Sequence, residues 1–383
     1  MNKFFALYTL HFLNDGFESS FLLLLPFISK DLHINLAQIG LLGTLEHGME
    51  IFVALPAGYF ALKYGGFRLL VYSLLVYSLA FIFTGITPGF FVLFLAYALG
   101  GIGFGTLSAV GYSLVSKWAH AGAQGKQLGT YSSMGDMGKA GVSSVLPSLI
   151  GFIGWRITSV CYGILGILVF LFFKPHVQAV HEMEKTKKKV KPIPLIKVLQ
   201  NGRFVFANLS NLFDTLASSA LFIFFPFLLI KKGIPSTEIG IFIFVYFLGT
   251  FGGKTILGRL SDLFKHTTVL ILAEILMGLC IMVLANTTIF AVMVLISFIL
   301  GVFSKGTVPV IKTMIGDSVS HHGNYEKAFS LNVFIASIAS TLSPLLWGFT
   351  SYRFGIINAF NINAVITMIT VIPTIGYMVS RKK

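Results

Sequence analysis

The stretch LHFLNDGFESS, Leu10 to Ser20, has a counterpart in LSNLFDTLASS, Leu209 to Ser219. Five positions are identical at an offset of 199, and the central one is an aspartate, Asp15 in the first copy and Asp214 in the second. Further matches follow at an offset of 200, which are Pro26-Phe27 with Pro226-Phe227, Ile39-Gly40 with Ile239-Gly240, and Gly58 with Gly258. Matches at a near-constant offset across two consecutive hydrophobic segments indicate a duplicated unit.

The composition places this unit in a membrane. Of the 383 residues, 55% are hydrophobic and 11% are charged, and the charged share is about half that of an average soluble protein. Apolar runs of about 20 residues recur, and each can cross a hydrocarbon core of about 30 Å as a helix. The sequence predicts an all-α membrane protein with twelve transmembrane helices in two six-helix, pseudo-symmetric bundles. The predicted spans, numbered 1 to 12, are 4–29, 37–60, 68–87, 90–116, 128–150, 155–173, 203–230, 237–260, 268–285, 288–313, 327–350 and 354–379.

A polar stretch separates spans 6 and 7. It predicts an N-terminal bundle at 1–173, a cytoplasmic linker at 174–202 and a C-terminal bundle at 203–383. Most of the 28 Lys and Arg residues fall in loops on one side, which by the positive-inside rule is the cytoplasm. We therefore expect a multi-pass protein of the bacterial cytoplasmic (inner) membrane with both termini in the cytoplasm, and we interpret the basic run KTKKKVKP, 185–192, as a contact for anionic headgroups.

Several function classes find no support in the sequence. It contains no Walker motif, no metal-ligand spacing and no pairing of a nucleophile with a base. We therefore expect no enzymatic activity, no cofactor, no metal and no nucleic-acid partner. The expected partners are a small-molecule substrate, protons and the lipid bilayer, and the expected state is a monomer.

Two loop motifs and one helix motif resemble a known family. GYFALKYGGFR, Gly58 to Arg68, and GRLSDLFKH, Gly258 to His266, resemble the Gly-x-x-x-Asp-Arg/Lys signature of the major facilitator superfamily, although Leu62 replaces the aspartate in the first copy. The resemblance covers the whole chain. Within that superfamily, HFLND in span 1 is similar to a motif of fosmidomycin-resistance-like efflux proteins.

The resemblance implies a fold and several roles. It implies two bundles with a substrate site near the membrane midplane, lined by spans 1, 4, 7 and 10 with help from 2, 5, 8 and 11. It also implies that Asp262, with Arg259, forms a conformational latch at a helix N-terminus of the opposite half.

Ionisable residues occur in those cavity-lining spans. A charge at a helix centre costs at least ~2.5–3.5 kcal/mol on insertion scales, so such groups face a cavity or a partner. Asp15 and Glu18 share one helix face, and two carboxylates in reach of each other do not ionise together easily. They are candidates for proton coupling, with Asp214 at the matching depth of span 7. The alternative is that a lysine of another helix pairs with them.

Span 2 carries a second cluster, Glu46, His47 and Glu50. Because histidine titrates near pH 6.5, the cluster is a candidate proton relay. An interhelical hydrogen-bond set is the alternative.

The lysines of spans 5 and 10 are candidates for contact with an anion. Asp136 and Lys139 form either a self-neutralising pair or, through Lys139, part of an anion site. Lys305, in GVFSKGTVP, is the strongest single candidate for a substrate anion contact. His11, Asn14 and Tyr131 complete the predicted substrate-binding set, whereas Glu274 of span 9 is expected about one turn from the cytoplasmic end, outside the site.

The sequence thus predicts a secondary transporter that works by alternating access. The leading hypothesis is export of a small, anionic drug or metabolite in exchange for protons. The alternative is proton-coupled import of an anionic nutrient or of a carboxylate chelate such as a siderophore. A lipid-translocating or sensor protein on the same scaffold is a third hypothesis.

Overall fold

The structure is a computed structural model that describes residues 3–118, 124–177, 201–319 and 325–380. All regular elements within these ranges are helices, and they form the twelve long helices that the sequence predicts. Most of the predicted linker, including its basic run, lies outside the described residues, as does the Leu62 side chain.

The N-terminal helices are α1 (Lys3–Leu23, continuing as Leu25–Asp31), α2 (Leu36–Tyr64), α3 (Gly66–Gly85), α4 (Phe90–Trp118), α5 (Gln124–Gly138, a π-helical turn Lys139–Ser143, then Ser144–Ile153) and α6 (Trp155–Phe173, followed by a 3₁₀ turn Lys174–His176).

The C-terminal helices follow the same order. They are α7 (Gly202–Ser218, continuing as Leu221–Lys231), α8 (Ser236–Leu263), α9 (His266–Asn286), α10 (Phe290–Val319), α11 (Tyr325–Phe354) and α12 (Ile356–Ile369 and Val371–Val379). Both α1 and α7 are interrupted before their shared Pro-Phe pair, at Leu24, two residues before Pro26, and at Ser219 and Ala220, six residues before Pro226. A proline removes a backbone donor from a helix and clashes with the preceding turn.

Contacts divide the chain into two compact units. One contains Met1–Lys188 with Pro235–Phe244, and the other contains Lys189–Ile234 with Val245–Lys383. In the first unit α1 packs on α5, and α4 packs on α2 and α3. In the second unit α9 packs on α10 and α12. The predicted bundle boundaries at 173 and 203 stay a prediction.

Two loops adopt the same positive-φ backbone conformation in both halves. His33 (φ 54°) and Gly233 (φ 81°) both adopt positive φ in the loop after the first helix of their half. Gly154 (φ 78°) and Gly355 (φ 84°) are single-residue links between the fifth and sixth helices. A glycine fits such a link because positive φ is sterically poor for other residues. His33 therefore adopts a strained conformation at the position where the second half has a glycine.

Two basic side chains cap equivalent helix ends in the two halves. The C-terminal carbonyls of a helix have no partner within the helix, and a cation there is favourable. The Arg156 guanidinium donates to Thr87 O at 2.7 Å at the end of α3, and the Lys232 ammonium donates to Ala285 O at 2.8 Å at the end of α9. Burial lowers the pKa of Lys232. These two basic residues have a structural role in the fold.

Nine helices within the described residues are long and apolar enough to cross a membrane. The other three long helices are α1, α2 and α5. These three helices carry the N-terminal cluster of ionisable groups.

Candidate functional site

An ion pair joins α5 to α1 in the N-terminal half. The Lys139 ammonium lies 3.2 Å from Asp15 Oδ2, and the two side chains are 28% and 12% exposed. Asp15 is also contacted by His11 Nδ1 at 3.4 Å and accepts a hydrogen bond from Asn14 Nδ2 at 3.3 Å. Asp136 adds a further electrostatic interaction with Lys139. This 3.2 Å ion pair joins Lys139 to a different helix, which corresponds to the alternative that a lysine of another helix pairs with Asp15.

Glycines allow this close approach of the two helices. A Cβ atom at Gly135 would lie 2.5 Å from Asp15 Oδ2 and 2.7 Å from His11 Nε2, and a Cβ atom at Gly138 would collide with the carbonyl oxygen of Phe12. Small residues let helix backbones approach closely in a membrane. The π-helical turn begins at Lys139, and such turns are found frequently at functional sites.

Aromatic rings pack around His11, which contacts Asp15. The His11 ring stacks on Tyr131 with centroids 3.9 Å apart and an interplanar angle of 6°, and Tyr112 packs edge-on against Tyr131 at 4.9 Å. Tyr131 and Asn14 are fully buried. The structure therefore brings His11, Asn14 and Tyr131 together around the Asp15–Lys139 pair, and their role in substrate binding stays a prediction.

The acidic cluster of α2 lies in the same half. His47 Nδ1 is 3.2 Å from Glu46 Oε2 and 3.5 Å from Glu50 Oε1. Glu46 is 0% exposed, and neither of its carboxylate oxygens has a hydrogen-bond partner outside this cluster among the described residues. A proton relay and an interhelical hydrogen-bond set both stay predictions for this cluster. Glu18 interacts electrostatically with Glu50 and Lys139, so it belongs to the same group of charges.

The C-terminal half contains a different arrangement around Asp214. Thr307 Oγ1 donates to Asp214 Oδ1 at 2.9 Å, and Lys305 interacts with Asp214 electrostatically. Glu274, which is fully buried, interacts with Asp214 electrostatically.

The expected position of Glu274 was therefore wrong. Since α9 begins at His266, Glu274 lies eight residues, or about 12 Å, from the helix start. A lone glutamate in the interior of an apolar helix was the signal that could have placed it in the site.

The predicted latch residues lie at the end of α8. Arg259 and Asp262 are exposed. Ion-pair contact in this region involves His266, whose Nε2 lies 3.4 Å from Asp317 Oδ2 and whose Nδ1 lies 2.6 Å from Ser261 Oγ. The latch stays a prediction.

Comparison with known proteins gives one family and several relatives. The family model described as Major Facilitator Superfamily matches residues 7–213 and 207–383. The "Probable 4-methylmuconolactone transporter" of Cupriavidus pinatubonensis is 26% identical over 270 residues, which are 68% of this chain and 63% of the relative. The "Probable nitrate transporter NarT" of Staphylococcus haemolyticus is 29% identical over 266 residues, 66% of this chain and 65% of the relative. The chain thus spans just under two thirds of the length of these curated relatives.

A solved structure shares the fold. It is the crystal structure of a bacterial homolog to the human lysosomal transporter Spinster, in an inward-facing and unoccupied conformation. The TM-score is 0.78 at 15% identity, with 98% of this chain and 97% of that chain covered. At this identity the likeness concerns the fold alone.

Proposed function

Because this chain belongs to the major facilitator superfamily, we propose that it is a secondary transporter that carries a small anion and a proton together. The observation that supports this proposal best is the 3.2 Å contact between Lys139 and Asp15. The relative named for nitrate agrees with an anionic substrate.

Anion and proton binding are coupled through this pair. An anion that binds Lys139 competes with Asp15 for the ammonium group. Asp15 then becomes a carboxylate without its cation in a site of low polarity, which is energetically unfavourable. A proton on Asp15 removes that charge, so each ligand favours the binding of the other, as linkage requires. Joint binding of the two ligands is symport, and an inward proton gradient then drives import.

This logic favours the import hypothesis over export. In proton antiport, substrate and proton compete for one site. A cation competes with a proton for Asp15, whereas an anion binds to Lys139 instead. The resemblance of HFLND to the efflux group stays a prediction, and neither relative named above is described as an efflux protein.

We assign an equivalent role to the second half. Lys305 interacts electrostatically with Asp214, and Lys139 forms a 3.2 Å ion pair with Asp15, so each of these lysines acts on an aspartate of its own half. Lys305 is the proposed anion contact of its half, and Asp214 with Glu274 is the proposed proton site. We also propose that Glu18 takes part in proton coupling. We further propose that the protein is a monomer in the bacterial inner membrane with both termini in the cytoplasm.

The direct test is proton movement in proteoliposomes. When nitrate, or a small carboxylate in a parallel series, is added outside vesicles at equal pH, we expect the external medium to become more alkaline as protons enter with the anion. Protein-free vesicles serve as the control. Uptake of a labelled anion without any pH change would contradict proton coupling, and absence of uptake across the whole series would contradict an anionic substrate.

A glycine substitution tests the geometry of the pair. Gly135→Ala is expected to lower the transport rate at least tenfold, because the new Cβ atom lies 2.5 Å from Asp15 Oδ2 and the stacked His11 ring limits how far Asp15 can move. The matched control is Gly141→Ala on the same helix, where the nearest atom is Phe12 Cζ at 3.8 Å. Equal rates for the two variants would show that the Asp15 geometry does not matter.

A further inference from the structure

We infer that Glu46, His47 and Glu50 on α2 bind a divalent transition-metal cation. Each of the three side chains offers one ligand atom, and these atoms all lie within 4.8 Å of one another. The sequence predicts no metal site here, because the spacing matches no familiar ligand motif. The inference goes beyond the proposed function, because cation binding does not require transport.

The distances between the side chains suit a shared ion. His47 Nδ1 lies 3.2 Å from Glu46 Oε2 and 3.5 Å from Glu50 Oε1. Two ligand atoms bound at about 2.1 Å and separated by the tetrahedral angle are about 3.4 Å apart. An ion can therefore contact the imidazole and both carboxylates after small side-chain adjustments.

The burial of Glu46 also favours a bound cation. Glu46 is fully buried, and within the described residues neither of its oxygens has a hydrogen-bond partner outside the cluster itself. A buried carboxylate is stable only when it is paired, neutralised or bound to a metal. Two carboxylates and a neutral imidazole carry a charge of −2, which a divalent ion balances and a monovalent ion does not.

The donor set indicates the class of metal. Imidazole nitrogen suits zinc, iron and their neighbours, whereas carboxylate oxygen also suits manganese. Calcium and magnesium prefer sites made of oxygen alone. A set of one nitrogen and two oxygens therefore favours Mn²⁺, Fe²⁺ or Zn²⁺ over the alkaline-earth ions.

Packing against α4 holds the cluster in place while leaving it accessible. A Cβ atom at Gly101 would collide with the carbonyl oxygen of Glu46, and one at Gly105 with Cα of Glu50. The backbone that carries both carboxylates is thus pressed against α4. The side chains of His47 and Glu50 are 16% and 24% exposed, which gives an ion a route to the buried Glu46.

The test is a titration with Mn²⁺. The purified full chain in lipid nanodiscs is freed of metal with a chelator and titrated while free Mn²⁺ is measured by electron paramagnetic resonance. We expect saturable binding of one Mn²⁺ per chain that Zn²⁺ displaces and that a tenfold excess of Mg²⁺ does not. Glu46→Gln is expected to weaken binding at least tenfold.

The matched control is Glu238→Gln, the same chemical change at a glutamate in the first turn of α8. It should leave Mn²⁺ binding unchanged. Mn²⁺ should also raise the midpoint of thermal unfolding of the native chain but not that of Glu46→Gln. In this measurement a cooperative transition shows that the variant is folded, and the shift of its midpoint reports binding. Absence of saturable binding, as expected if protons alone occupy the cluster, overturns the inference. Equal affinities of the native chain and a folded Glu46→Gln variant do so as well.

Discussion

Replacing Lys139 with glutamine is expected to lower the free energy of unfolding by about 3 kcal/mol and to abolish transport. Removal of one partner of a buried ion pair costs roughly 3–5 kcal/mol because the other charge is left unpaired, and the 28% exposure of Lys139 places this pair at the lower end. The stability is measured by equilibrium unfolding in mixed detergent micelles, and transport by anion uptake into proteoliposomes. Lys231→Gln, at an exposed lysine at the end of α7, is the control and should change neither quantity.

A double-mutant cycle separates stability from function. The combination of Asp15→Asn with Lys139→Gln removes both charges, so most of the lost stability should return while transport stays absent. The interaction free energy of the cycle should then be large and favourable for the native pair. If the double variant is as unstable as the sum of the single variants, the 3.2 Å contact carries no net coupling.

Asp15→Asn is expected to abolish accumulation driven by a pH gradient while leaving anion exchange within about twofold of the native rate. Asparagine keeps the size of the side chain but binds no proton, so the energetic coupling is lost and the anion contact at Lys139 remains. The two activities are measured in the same vesicles, first with an imposed pH gradient and then with equal pH and labelled anion on one side. We expect the gradient-driven accumulation ratio to fall to about one.

The chain offers a matched control for this substitution. Asp31→Asn, also in α1, removes the partner of Arg156, from which it is likewise separated by 3.2 Å. That pair is half-exposed, and such pairs contribute about 0–1 kcal/mol, so coupling should be unaffected. Accumulation by Asp15→Asn equal to that by Asp31→Asn would assign the proton to another group, with Glu18 as the first candidate.

The helices could be predicted from the sequence because their signal is local. Each span is an apolar run of sufficient length, and lipid leaves helices as the only way to satisfy the backbone within a segment. The family prediction is confirmed by the family match over both halves. The break at Leu24 lies beside Pro26, whose effect on a helix is also local.

The contacts of the site could not be predicted in the same way. Sequence spacing placed Asp136 beside Lys139 as a possible pair, yet the 3.2 Å contact is with Asp15 on another helix. That contact depends on Gly135 and Gly138, which bring α5 close to α1. The position of Glu274 was predicted wrongly for a related reason. Its depth in the membrane depends on where α9 begins, and its role depends on how close it lies to Asp214.

The sequence by itself determined the class of protein, the number of helices, the repeat and the helices that carry charge, because hydropathy, proline and the identity of a residue act over one or two turns. Only the tertiary structure decided that Lys139 pairs with Asp15, that Glu274 interacts with Asp214, and that Glu46 has no hydrogen-bond donor outside its own cluster in the described part of the chain. These facts depend on how closely one helix approaches another. In a membrane that approach is set by small residues on the facing sides of both helices, and a linear sequence does not show which sides face each other.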